Sequence, residues 1–211
     1  YLGIETAIVM YEMGGYYTEE EALQHLEKNW TAIYLNSQGS ILRIPVRYEM
    51  FETEVDPFYE DCDPKYKMRV QIDEQYKQEV LNLKPIVYVS DLRLNDVKPS
   101  EDQLYYTLKS EVKSKTNDQG YNLNYYDFDW KAYKIVNQDT ISQQLLKLNG
   151  FLDDPVINPI LEADIDGDGL NDLYASVASK YSYSLTVLFL SSMAESNQVL
   201  KAVAAKQEFG C

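Results

Sequence analysis

The stretch NPILEADIDGDGLNDLYASVASKYSYSLTVLFLSS, residues 158–192, places a short acidic loop between apolar segments. NPILEA before the loop and LYASVA after it are apolar enough to be core strands. The polar residues SKYS follow, and then LTVLFL, which is rich in the β-branched and aromatic residues that favour strands. The stretch therefore predicts strands on both sides of the loop and a turn before a further strand.

Within this loop, four aspartates crowd together at Asp164, Asp166, Asp168 and Asp172. Carboxylates at such spacing repel each other unless a cation lies among them, and Ca²⁺ takes six to eight oxygen ligands. The aspartates occupy positions 1, 3, 5 and 9 of a calcium loop, a glycine occupies position 6, and position 7 contributes only a backbone carbonyl. The predicted ligands are Asp164, Asp166, Asp168, the carbonyl of Leu170, and Asp172. An acidic surface turn that binds no ion is the alternative.

The twelfth position of the loop distinguishes between calcium-binding families. An EF-hand has a bidentate glutamate there, whereas this chain has Ala175. The spacing D-x-D-x-D-G-x-x-D resembles instead the calcium loops of FG-GAP and VCBS-type repeats, which join two strands in β-propeller blades. The resemblance implies a calcium loop and a hairpin over residues 161–191, but not a propeller, because the motif occurs once. A dockerin loop is a minor alternative, since dockerins duplicate the loop and normally have an acid at position 12.

The remainder of the sequence predicts an α+β fold. YYTEEEALQHLEKNW, residues 16–30, predicts an amino-terminal helix with Thr18 and Glu21 as a capping box. DTISQQLLKL, residues 139–148, predicts a short helix capped by Asp139, and the segments between the two helices have strand composition. We therefore expect a single domain over residues 1–211, consisting of mostly antiparallel sheet with an amino-terminal helix and a calcium-binding hairpin near the carboxyl end.

Charge and cysteine content restrict the partners and the compartment. The net charge of -15 and the lack of a Lys/Arg cluster argue against nucleic acid as a partner. No apolar run approaches the roughly 20 residues of a membrane-spanning helix. Cys62 and Cys211 are the only cysteines and allow one disulfide, with two unpaired thiols as the alternative. Because the sequence opens on Tyr1 rather than on a methionine, we expect that an upstream segment has been removed, by processing or by the choice of the expressed region, and a lost signal peptide would fit. These features predict a secreted or periplasmic protein, with the cell surface as a further location.

Sequence motifs for catalysis are sparse. His25 is the only histidine, and no nucleophile-elbow, dinucleotide-binding or phosphate-loop motif occurs. Asp127 and Asp129 lie beside aromatic residues, as in a glycosidase cleft, but their alternation favours a half-buried strand. Tyrosine occurs 19 times and suits both recognition surfaces and sheets. The leading hypothesis is an extracytoplasmic, calcium-stabilised, non-catalytic module that binds protein or glycan. A carboxylate- or calcium-dependent hydrolase of glycosides or phosphoesters is the alternative.

Overall fold

The computed structural model describes residues 8, 10–11, 15–16, 18–54, 65–92, 103–120 and 122–209. The chain divides into two compact units, one within Thr6–Arg93 and the other within Leu94–Gly210, and each is described by itself. The single domain expected over residues 1–211 stays a prediction. Cys62 and Cys211 lie outside the described residues, so their disulfide also stays a prediction.

The amino-terminal unit contains a six-stranded antiparallel sheet with strand order β1-β6-β3-β4-β5-β2. Its elements, in chain order, are β1 Met10–Tyr11, β2 Gly15–Tyr16, α1 Glu19–Leu26, β3 Trp30–Leu35, β4 Ile41–Glu52, β5 Tyr66–Ile72, α2 Glu74–Val80 and β6 Pro85–Ser90. Helix α1 confirms the predicted capping box, since the Thr18 side chain accepts from the Glu21 amide and the Glu21 side chain accepts from the Thr18 amide. Ala22 of α1 and Val80 of α2 join a core cluster with residues of β3 and β4.

The carboxy-terminal unit contains two antiparallel sheets, β7-β8-β9 and β10-β11-β12-β13. The strands are β7 Gln103–Thr116, β8 Asn122–Val136, β9 Asp139–Phe151, β10 Val156–Ala163, β11 Asp172–Ala178, β12 Tyr183–Leu190 and β13 Lys201–Phe209. Phe128 and Trp130 of β8 share one buried cluster with Leu173 of β11 and Val187 of β12. The two sheets therefore pack face to face around a common core, as in a β-sandwich.

The predicted α+β class with one sheet is wrong. The described residues form thirteen strands in three antiparallel sheets and only two short helices, which is a β-rich fold. Neither of these helices is long and apolar enough to cross a membrane.

The helix expected over residues 139–148 is the largest local error, because this segment begins strand β9. Asn137 and Gln138 both have left-handed backbone conformations, with φ of 49° and 74°, and they form a two-residue turn between β8 and β9. Such turns match the twist of paired strands and favour a hairpin. The β8 ladder then holds β9 in an extended conformation from Asp139 to Phe151, overriding its short helical apolar pattern.

Candidate metal centre

The aspartate loop lies between β10 and β11 at the point where these strands stop pairing. Ala163 pairs with Asp172 in the last register position, so the two ends of the loop are neighbours. Gly167 and Gly169 have φ of 87° and 89°, a left-handed conformation that a side chain disfavours. The glycine expected at position 6 of the loop therefore serves its predicted purpose, which is to allow a sharp turn.

Three of the four aspartates converge. One carboxylate oxygen from each of Asp164, Asp166 and Asp172 lies within 4.8 Å of the others. Asp166 is 1% exposed and Asp172 is 0% exposed, although acids are almost never fully buried without a partner. This cluster can hold a metal ion.

Asp168, a further predicted ligand, is placed differently from the other three aspartates. Asp168 is not part of the convergent group. Its Oδ1 accepts a hydrogen bond from the Leu170 amide at 2.7 Å, which folds this part of the loop onto itself. The role of the Leu170 carbonyl as a ligand stays a prediction.

Backbone amides of the loop hold the carboxylates in place. Asp164 accepts from the amides of Gly167 at 2.6 Å and Gly169 at 3.1 Å, one at each oxygen. Asp172 Oδ2 accepts from the amides of Ile165 at 2.7 Å and Asp166 at 3.2 Å. The loop is therefore wound around its own aspartates, which fixes the directions of the oxygens.

The electrostatics of the cluster favour a cation. Burial, followed by repulsion from Asp166, raises the pKa of Asp172 to about 7, despite backbone hydrogen bonds that act in the opposite direction. Burial also raises the pKa of Asp166, and the charges of Asp168 and Asp164 add to this effect. Buried carboxylates of like charge disfavour their ionised forms, and a cation among them would reverse that preference.

Three further residues support the loop, and the motif gives no sign of them. Ser191 and Ser192 follow β12 and contact the carboxylates of the loop. The Tyr106 hydroxyl of β7 donates to the Asn171 carbonyl at 3.1 Å, and burial raises the pKa of this tyrosine. The β11–β12 hairpin explains why the serines reach the loop. Its register pairs Leu173, just after the loop, with Phe189, so the end of β12 lies beside the loop.

The other candidate residues lie on β8 and on α1. Asp127 and Asp129 lie on the more exposed face of β8, while Phe128 and Trp130 are buried on the opposite face, as the alternation predicts. A hydrogen bond from Gln144 is the main reason that the pKa of Asp129 is lowered, whereas a glycosidase general acid needs a raised pKa. His25 stacks on Trp30 with ring centroids 5.8 Å apart, and burial lowers its pKa.

Comparison of the chain with protein-family models, with curated proteins and with solved structures finds no match. The functional argument therefore depends on the geometry of the loop and its surroundings.

Proposed function

We propose that the loop from Asp164 to Asp172 binds Ca²⁺ and that the ion stabilises the carboxy-terminal unit. The observation that carries this proposal is the convergence of three aspartate carboxylates, two of them almost fully buried. All the side-chain donors of this cluster are oxygens, which suit hard cations such as Ca²⁺ better than the softer transition metals. The position of the loop between two paired antiparallel strands supports the resemblance to FG-GAP and VCBS-type loops.

The role we propose for the ion is structural rather than catalytic. The carboxylates lie at the junction of β10, β11 and the end of β12, and Asp172 itself is inaccessible to solvent. An ion held there by protein oxygens leaves few positions for a substrate. It would neutralise the buried carboxylates and so join strands that are already neighbours.

Calcium titration of the intact chain tests the proposal. We expect one Ca²⁺ per chain by isothermal titration. Calcium at about one hundred times its Kd should stabilise the fold by about 2.7 kcal/mol, which raises Tm by about 5 to 10 °C in a chain of this size. Substituting Asp164→Asn and Asp166→Asn together should abolish both effects, because each change removes a negative charge from the cluster.

The matched control is Asp118→Asn, which changes an exposed aspartate in the turn after β7. This variant should bind calcium like the unmodified protein. Absence of calcium uptake by the unmodified protein, or equal uptake by the double variant, would contradict the proposal. Tighter binding of Mg²⁺ than of Ca²⁺ would contradict the assignment of the ion.

For the wider role, we propose an extracytoplasmic, non-catalytic module that binds protein or glycan through a tyrosine-bearing surface. Tyr105 is 43% exposed and stacks on Tyr133 of the adjacent strand, with ring centroids 4.9 Å apart. Paired rings offer a flat apolar area with hydroxyl groups at its edge, which suits recognition at a small entropy cost.

Fluorescence titration with soluble oligosaccharides of defined composition tests the glycan form of this proposal. Tyr105→Ala should weaken binding about tenfold or more, as expected for the loss of a contact residue. The control is Tyr181→Ala, which alters a 70% exposed tyrosine in the β11–β12 turn. Equal binding by both variants would contradict a role for the Tyr105 surface.

A further inference from the structure

We propose that Ser191 and Ser192 are positioning residues of the ion loop and that they couple ion binding to the connection between β12 and β13. This inference rests on the proposed calcium site. It adds two residues outside the aspartate motif and a second segment of chain, residues 191–200, that would respond to the ion.

The two serines contact three of the four aspartates. Ser191 Oγ lies 2.7 Å from Asp168 Oδ2 and 3.1 Å from Asp172 Oδ1, and the Ser191 amide donates to the same Asp172 oxygen at 2.8 Å. Ser192 Oγ donates to Asp166 Oδ2. These are hydrogen bonds to ionisable carboxylates, which are stronger than bonds between neutral groups.

In each of three aspartates, a serine binds one carboxylate oxygen and a loop amide binds the other. Asp166 and Asp168 each receive a loop amide at Oδ1, whereas a serine hydroxyl binds Oδ2 of both residues. Asp172 likewise receives loop amides at Oδ2 and Ser191 at Oδ1. Asp164 has both of its oxygens bound by loop amides. The orientation of the other three carboxylates therefore depends on residues that lie 19 to 26 positions away in the chain.

Groups that orient metal ligands in this way affect metal affinity. Loss of such a partner typically weakens metal binding by 10- to 100-fold, because the ligand must then be fixed at the moment of binding. Coupling of this kind is reciprocal, so an ion that favours the oriented carboxylates also favours the serine contacts.

The far end of the same connection is anchored as well. The amides of Val199 and Leu200 donate to Oε1 of Gln143 on β9 at 2.7 and 2.9 Å. The connection is therefore fixed to the ion loop at one end and to the facing sheet at the other. Binding of the ion should make the contacts between Ser191 and the loop aspartates open less often. Hydrogen exchange at the Ser191 amide should therefore become slower.

Ser192→Ala is the most direct test, because this side chain is solvent-exposed and its loss leaves the core intact. We expect about tenfold weaker Ca²⁺ binding by isothermal titration. The Tm in chelator should fall by no more than about 4 °C, because only one hydrogen bond is lost. Ser192→Thr keeps the hydroxyl and should restore the affinity, which a purely structural role for the residue would not require. Ser182→Ala changes an exposed serine of the β11–β12 turn and is the matched control.

A second measurement compares hydrogen exchange of the unmodified protein in calcium and in chelator. Calcium should slow exchange at Ser191 in the unmodified protein and should do so less in Ser191→Ala. If the unmodified protein binds calcium but Ser192→Ala binds it within about twofold as tightly, the positioning role is wrong while the calcium site stands. If the threonine variant binds as weakly as the alanine variant, the hydroxyl is not responsible and the inference also fails. If the unmodified protein binds no calcium, the proposed function itself is contradicted.

Discussion

Asp172→Ala is expected to lower the free energy of unfolding by about 3 kcal/mol even in chelator. The Asp172 carboxylate accepts hydrogen bonds from the amides of Ile165, Asp166 and Ser191, and the substitution leaves all three amides without this acceptor. A buried donor without a partner costs about 1 to 3 kcal/mol. Burial raises the pKa of Asp172, which means that its charged form is destabilised in the fold, and removing the acid recovers this cost. We therefore place the net loss near the lower end of the total for three amides. Urea unfolding in chelator measures it.

The same variant should show no stabilisation by calcium, because it lacks one of the three convergent carboxylates. Asp172→Asn keeps the size of the side chain and one acceptor oxygen, so its loss in chelator should be smaller. Asp118→Ala, in an exposed turn, should change stability by less than about 0.5 kcal/mol. Full stability of Asp172→Ala in chelator would mean that Asp172 matters only as an ion ligand and not as the acceptor that closes the loop.

Gln143→Leu is expected to destabilise the fold by about 2 to 3 kcal/mol in chelator. The Gln143 side chain accepts from the amides of Val199 and Leu200 and donates to the Leu200 carbonyl at 2.8 Å. The Gln143 side chain therefore supplies the hydrogen bonds that a neighbouring strand would otherwise make, and it joins β9 to the β12–β13 connection. Leucine has a similar volume but no polar atoms, so three backbone groups of Val199 and Leu200 lose this partner, at about 1 kcal/mol for each hydrogen bond.

Chemical denaturation measures this loss, and hydrogen exchange should locate it at Val199 and Leu200. Gln207→Leu is the control, because Gln207 is exposed on β13. Its effect should stay within about 0.5 kcal/mol. A loss for Gln143→Leu no larger than that of the control would show that other contacts hold the connection.

The sequence predicts best those features that depend on neighbouring residues. The capping box of α1 depends on Thr18 and Glu21, three positions apart, and the structure confirms it. The aspartate spacing identifies a loop that brings Asp164, Asp166 and Asp172 together. The spacing of the aspartates does not predict that Asp168 lies outside the convergent group. Its Oδ2 accepts from the Ser191 hydroxyl, and this contact depends on a residue outside the motif.

Features that depend on distant pairing are the ones that sequence reasoning misses. The apolar spacing of residues 139–148 fits a helix, but hydrogen bonds to β8 hold this segment in a strand. The anchoring role of Gln143 follows only when β9 faces the β12–β13 connection. The predicted class of the fold is wrong for the same reason, since the pairing of residues 139–148 with β8 and the separation of the strands into three sheets are decided by tertiary contacts.

The order of the strands in the carboxy-terminal unit has a consequence for folding kinetics. Every ladder in its two sheets joins strands that follow one another along the chain, whereas the amino-terminal sheet pairs β3 with β6 across two intervening strands. Sequence-local pairing lowers contact order and speeds folding. The four aspartates come from nine consecutive residues. The β10–β11 hairpin can therefore bring them together before β12 pairs with β11 and places Ser191 and Ser192 beside the loop. We therefore expect calcium to bind early on the folding pathway and weakly at first, with full affinity appearing only when β12 joins the sheet.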